Sequence, residues 1–335
     1  MADYTHFNPG LALEWVEFAK TWTPPVPPKD LAVAKKTFNE SRAELFRNVL
    51  GPIHGLSTKD ILIPTRDGQE IPGRLYFPDI QAESTELNPL YIFCHGGGSL
   101  FGDIETEDMH CRMFCVKVPC TVLSVGYRHT PEWVFPTQLH DLFDSMDYIT
   151  DASRANGFRI DLSNVVLGGV SAGGTMCLGA AVAEIEQETH RIKGLNISIP
   201  STVHPSCFPR HLVKDGYSSL EQNANSPLLS TARLDFLKSL LKDDPESPYV
   251  SPLLLPDSTL KQFPNTALHI CGADPLRDSG LLFEDRLRGL GVKTRLEVYS
   301  GWPHAFWNLP HFKMAQNYRE RMVEDARWLF FGREL

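Results

Sequence analysis

Three residues able together to cut an acyl bond stand far apart in this chain: Ser171, Asp274 and His304. Ser171 lies in Gly169-Val170-Ser171-Ala172-Gly173, directly after the apolar run Asn164 to Gly168. A strand that turns sharply into a helix needs neighbours without bulky Cβ groups, and the central side chain is then held exposed at the turn. So short a motif recurs by chance in roughly one chain in ten of this length. Its company gives it weight. Upstream lies His95-Gly96-Gly97-Gly98, where consecutive glycines let the backbone aim N–H groups at a ligand. Two such groups, with that of Ala172, make a three-donor hole for an oxyanion. Downstream, Asp274-Pro275 follows an apolar run ending at Cys271, and Trp302-Pro303-His304 follows the run Arg295 to Tyr299. Nucleophile, base, orienting acid and oxyanion donors are the set that acyl transfer requires.

Positioning these residues takes a particular set of elements. From Leu90 onward short apolar runs alternate with longer helical stretches: Leu90 to Cys94, Cys120 to Val125, Val165 to Gly168, Gly194 to Ile199, Thr266 to Cys271 and Arg295 to Tyr299. Continuous apolar strands joined by helical crossovers predict a mostly parallel sheet with helices on both faces. Ser171, Asp274 and His304 each follow one of these strands, so they converge on its carboxyl edge, where open α/β folds bind ligands. Before the alternation come helix (Leu11 to Thr21), a proline-rich break (Pro24 to Pro28) and helix (Leu31 to Leu50). Two strand-like pieces follow, Asp60 to Pro64 and Ile71 to Phe77, around the turn Arg66-Asp67-Gly68. Between Pro200 and Pro264 the helical stretch Thr231 to Leu241 sits among loops rich in Ser, Pro and His, with no convincing strand. Long insertions of this kind usually carry function, so with the N-terminal helices we expect a lid over the carboxyl edge; a long crossover is the other reading.

Composition narrows the classes. Apolar residues make up 42% of the chain, enough for a sizeable core, and the net charge of −9 carries no basic stripe. That argues against nucleic acid and against an anionic membrane as partner. No run of about 18 apolar residues offers a membrane span. The first residues lack a secretory pattern, and Gly332-Arg333-Glu334-Leu335 matches neither the peroxisomal nor a full ER-retention signal, so a cytoplasmic location is expected. The cysteines (94, 111, 115, 120, 177, 207 and 271) are odd in number, irregularly spaced and often inside apolar runs, as buried thiols are. Cys111 and Cys115 have i, i+4 spacing but lack a Cys-x-x-Cys or histidine-rich partner, so no metal is expected.

Several motifs in fixed order carry a resemblance: His95-Gly96-Gly97-Gly98, Phe101-Gly102-Asp103, Tyr127-Arg128, Pro131-Glu132, Gly169 to Gly174, Asp274-Pro275-Leu276-Arg277-Asp278 and His304-Ala305-Phe306. From about residue 60 to its end the chain resembles the hormone-sensitive-lipase-like carboxylesterases. The resemblance implies an α/β-hydrolase fold, with a mostly parallel eight-stranded sheet, helices on both faces and a helical cap. Residues 1–55 would give the cap's N-terminal helices, 56–200 and 260–335 the core, and 201–259 the cap insertion. It implies serine esterase activity without a cofactor, with Ser171 as nucleophile, His304 as base, Asp274 as its orienting acid, and Gly97, Gly98 and Ala172 as oxyanion donors. Asp278, a rival to Asp274, lies a helical turn further on and reads as a charge at a helix N-terminus. The chain departs from the family pattern in two places. Ser99 stands where a large residue is usual, and Tyr127-Arg128-His129-Thr130-Pro131-Glu132 replaces Tyr-Arg-Leu-Ala-Pro-Glu. Arg128 and Glu132 read as an ion pair or hydrogen-bond anchor. Ser99 and His129, with Trp302 and Phe306 beside the base, are candidate substrate-binding residues; packing around the His304 loop is the other reading of the two aromatics.

The expected activity is hydrolysis of a small to medium uncharged ester through an acyl-enzyme. A lactone hydrolase, acyltransferase or cyclase would use the same triad, since these differ only in what reaches the acyl-enzyme. A ligand-binding receptor on the same scaffold would be expected to have lost a triad member, and all three are present. The expected partner is a small-molecule ester or lactone. An edge strand or the helical stretch Gln316 to Phe331 offers a surface for a homodimer.

Overall fold

The computed structural model describes residues 1–23, 29–79 and 86–332; the break Pro24 to Pro28 and the last three residues fall outside it. The N-terminal region forms α1 (Leu13–Ala19) and α2 (Leu31–Leu50), the latter capped by the Asp30 carboxylate, which accepts from Val33 N at 3.0 Å. The strands are β1 (Leu56–Pro64), β2 (Glu70–Pro78), β3 (Asn88–Cys94), β4 (Thr121–Val125), β5 (Ile160–Val170), β6 (Ile192–Ser198), β7 (Asn265–Ala273) and β8 (Thr294–Pro303). They form one eight-stranded sheet in the order β1-β2-β4-β3-β5-β6-β7-β8. Pairing is antiparallel at β1/β2 and β2/β4 and parallel from there on.

Every residue of β3 and β4 is buried, because helices cover the sheet on both sides. On one side, α4 (Thr137–Thr150), α5 (Ala152–Phe158), α6 (Ala172–Glu186) and α10 (Arg277–Gly289) pack over a largely aliphatic core with Leu142, Leu178 and Leu281. On the other, α3 (Asp108–Lys117) and α11 (Lys313–Phe331) close a core rich in aromatic rings, among them Phe114, Tyr318 and Phe330. The seven cysteines are unpaired thiols; all but Cys207 are buried.

The insertion between β6 and β7 carries α7 (Ser219–Gln222), α8 (Thr231–Leu241) and α9 (Asp257–Leu260), joined by single helical turns. Helix α2 is tied to the loops at the sheet's carboxyl edge, and the start of the chain to the insertion. From α2, Asn39 Nδ2 donates to Gly102 O at 3.0 Å and Lys35 Nζ to Thr130 O at 2.6 Å. At the start of the chain, Ala2 N donates to Leu212 O and Lys214 N returns a bond to Ala2 O.

Candidate active site

Ser171 occupies the turn from β5 into α6 with φ 53° and ψ −117°, a backbone region that non-glycine residues rarely enter. The tightness of the turn explains its glycines. A Cβ on Gly169 would stand 2.5 Å from the carbonyl carbon of Gly173, and one on Gly173 would stand 2.2 Å from Cys94 O. Ser171 N donates to Ser198 O of β6 at 2.8 Å, which fixes the turn to the neighbouring strand.

Asp274 follows β7 and His304 follows β8, as the strand ends require. His304 Nδ1 lies 2.6 Å from Asp274 Oδ2, and His304 Nε2 lies 3.0 Å from Ser171 Oγ. An ionised carboxylate only accepts, so Nδ1 carries the proton and Nε2 is free to accept from the serine hydroxyl. Leu276 N donates to the other oxygen, Asp274 Oδ1, at 2.9 Å. Asp278 sits in the first turn of α10, where its carboxylate accepts from Arg277 Nε at 2.7 Å and from Ser219 N at 2.8 Å.

Gly97 and Gly98 line the same cavity as Ser171 and Ala172. Their φ values are +121° and +66°, and a Cβ on Gly97 would stand 2.0 Å from Phe101 O. No side chain fits there. The N–H groups of Gly97, Gly98 and Ala172 donate to no protein acceptor among the described residues, so they are available to a ligand oxygen. A strut holds this loop: Tyr127 Oη donates to His95 O at 2.8 Å, and Thr130 N donates to Ser99 O at 2.8 Å.

The cavity encloses about 200 Å³. Phe38 and Arg42 of α2 form one wall, Leu234, Leu237 and Leu241 of α8 another, and Ser99, Met176 and Leu276 lie on the side of the sheet. Of the candidate binding residues, Ser99 lies on the cavity. The other three do not. His129 stands edge-on to the rings of His95 and Tyr127, at 5.2 and 5.0 Å. Burial, reinforced by the charges of His95 and Lys35, pushes its pKa down to about 2, so it remains neutral. Trp302 packs against Phe306 at 4.5 Å and Phe312 at 5.2 Å, while Phe306 is wholly enclosed. These rings belong to the aromatic core beneath the His304 loop and support it from below. Arg128 and Glu132 are not paired with each other: Arg128 clasps Asp141 and Asp67, and Glu132 meets Lys35 at 2.9 Å.

One set of residues at the site carries no signal in the sequence. Asn223 Nδ2 donates to Asp274 O at 2.8 Å and to Gly272 O at 3.3 Å, while Asn223 Oδ1 accepts from Asn8 Nδ2 at 2.6 Å. Ser226 Oγ donates to Ala273 O, and Ser219 Oγ donates to Pro275 O at 2.8 Å. The insertion thus clamps the backbone that carries Asp274. No motif marks these polar residues, because what recruits them is backbone carbonyls brought close by the fold. Among the described residues, no group of three or more His, Cys, Asp and Glu side chains is placed to hold a metal ion, and no helix is long and apolar enough to cross a membrane.

Residues 91–308 match the family model described as alpha/beta hydrolase fold. An AB hydrolase superfamily protein of Schizosaccharomyces pombe is 31% identical over 87% of this chain and 85% of its own length. The versiconal hemiacetal acetate esterase of Aspergillus parasiticus is 29% identical over 94% of this chain and 97% of its own. Among solved structures, vibralactone cyclase superposes with a TM-score of 0.88 at 29% identity, covering 98% of this chain and 97% of that one. The chain belongs to the α/β-hydrolase superfamily, within its hormone-sensitive-lipase-like carboxylesterase family.

Proposed function

We propose that this carboxylic ester hydrolase is a serine enzyme that cleaves a small to medium ester through an acyl-enzyme. The observation that carries the reading is the continuous line Ser171 Oγ, His304 Nε2, His304 Nδ1, Asp274 Oδ2, with contacts of 3.0 and 2.6 Å. Ser171 Oγ attacks the carbonyl carbon while its proton passes to His304 Nε2. The carbonyl oxygen becomes an oxyanion held by the N–H groups of Gly97, Gly98 and Ala172, each worth ~2.7–4 kcal/mol of barrier. Collapse breaks the C–O bond, and the alkoxide leaves with the proton from His304. Water then gives a proton to Nε2 and attacks the acyl carbon; collapse of the second intermediate releases the acid and returns the proton to Ser171. Asp274 holds the tautomer and stabilises the imidazolium. The residues 1–55 and 201–259 act as a cap, a reading supported by the cavity walls formed from α2 and α8.

The test is pre-steady-state hydrolysis of p-nitrophenyl butyrate. A burst of one p-nitrophenolate per enzyme, lost in Ser171→Ala, is the expected result. Wild-type-like turnover in that variant contradicts the assignment.

A second reading is cyclisation, favoured by the likeness to vibralactone cyclase across nearly the whole chain. Here a hydroxyl of the acyl group, rather than water, takes the acyl-enzyme and leaves as a lactone. The cavity's leucine wall on α8 suits the exclusion of water that this route needs. Turnover in ¹⁸O-water separates the two: hydrolysis places the label in the acid, and cyclisation leaves the lactone unlabelled.

A further inference from the structure

The cavity has three cationic side chains on its wall: Arg42, Arg233 and Lys238. Two are neutralised in place. Arg42 pairs with Glu107, and Lys238 pairs with Asp243 at 2.5 Å. Arg233 has no such partner: among the described residues no carboxylate forms an ion pair with it, and its guanidinium makes no hydrogen bond. It is solvent-exposed as well as cavity-lining, which places it where the cavity opens. Its place in the helix sharpens the anomaly. Arg233 lies in the first turn of α8, beside the capping Ser230 Oγ, where the helix dipole disfavours a cation and favours an anion. A long unpaired cation held in that position wants an anionic counterpart, and the cavity is the space in which one can arrive.

We infer that Arg233 is a substrate-recognition residue and that the substrate is an ester carrying a carboxylate remote from the scissile bond. This rests on the esterase reading above. A guanidinium binds a carboxylate through two parallel N–H···O bonds, so it selects orientation as well as charge. The leucines of α8 then take up the apolar part between the two ends. This revises the uncharged ester expected from the apolar character of the insertion: one cation without a partner outweighs the count of apolar neighbours, because it alone discriminates charge.

The experiment compares kcat/KM for matched neutral and anionic esters in wild type, Arg233→Gln and Arg233→Glu. On the acyl side the pair is p-nitrophenyl butyrate and mono-p-nitrophenyl glutarate; on the alcohol side it is phenyl acetate and 4-acetoxybenzoate. Arg233→Gln is expected to lower the anionic-to-neutral ratio in one of the two pairs about fivefold, and Arg233→Glu further, mainly through KM. The pair that responds tells which side bears the carboxylate. The same ratio in wild type should fall with added NaCl. Equal changes for neutral and anionic esters in both pairs, or a wild-type ratio indifferent to salt, overturn the inference. Ser171→Ala keeps the two questions apart: if it hydrolyses p-nitrophenyl butyrate as wild type does, the Ser171 acyl-enzyme fails whatever Arg233 shows.

Discussion

At the scale of single residues the site's roles divide between two neighbouring carboxylates. Asp274 meets His304 Nδ1 and is its proposed orienting acid, whereas Asp278 is bound to Arg277 and to Ser219 N. Asp274→Asn presents the wrong hydrogen-bonding partner to His304 Nδ1 and should lower kcat by about 10³–10⁴-fold with little change in melting temperature. Asp278→Asn should do the opposite. It breaks a buried ion pair, for which about 3–5 kcal/mol of stability is typical, while turnover per folded molecule stays within a few-fold. Steady-state kinetics and thermal melts of both variants check this, and the reverse ranking exchanges their roles. The juxtaposition of Ser171, Asp274 and His304 and the need for glycine at their turns were legible because the geometry forbids substitutes: no side chain fits at Gly97 or Gly173. The binding residues were less so. Trp302 and Phe306 stand beside the base in sequence, but their rings turn into the aromatic core rather than toward the ligand.

At the scale of elements, strands β3 to β7 stood out because each contains a short, mostly apolar run, and all eight strands formed. Antiparallel β1 and β2 were visible from the turn between them. The helix Thr231 to Leu241 matches α8 residue for residue, yet what the insertion does to the acid loop could not be read from its sequence. Carbonyls of residues 272 to 275 accept from Asn223, Ser226 and Ser219, and such bonds leave no periodic trace. Asn223 acts through Asp274 as a positioning residue. Asn223→Ala removes the donor to both Gly272 O and Asp274 O and should lower kcat about tenfold on p-nitrophenyl butyrate with KM changed less than threefold. Asn223→Ser, which keeps a donor, should recover part of the loss. A fall in melting temperature with kcat untouched would make the clamp purely structural.

At the scale of the whole molecule, His95 and His129 contribute to how stability responds to acid. Burial lowers the pKa of His95 and pushes that of His129 to about 2, while in the unfolded chain each takes up a proton near pH 6.5. Below that pH the unfolded state binds more protons, so their contribution is complete above about pH 6.5 and drains as pH falls toward the folded values. His129→Leu should therefore lose less stability than wild type between pH 7 and pH 5, by up to about 2 kcal/mol in denaturant titrations. Parallel losses in the two proteins would mean that His129 takes up its proton in the fold.

The proposed chemistry depends above all on Ser171 being an activated nucleophile, since the fold and the cavity walls converge on that atom. The measurement that reaches it most directly is reaction with a fluorophosphonate probe followed by peptide mass spectrometry. Stoichiometric label on Ser171, abolished in both Ser171→Ala and His304→Ala, is the predicted result. Folded wild-type protein that takes no label, or takes it on another residue, would contradict the account.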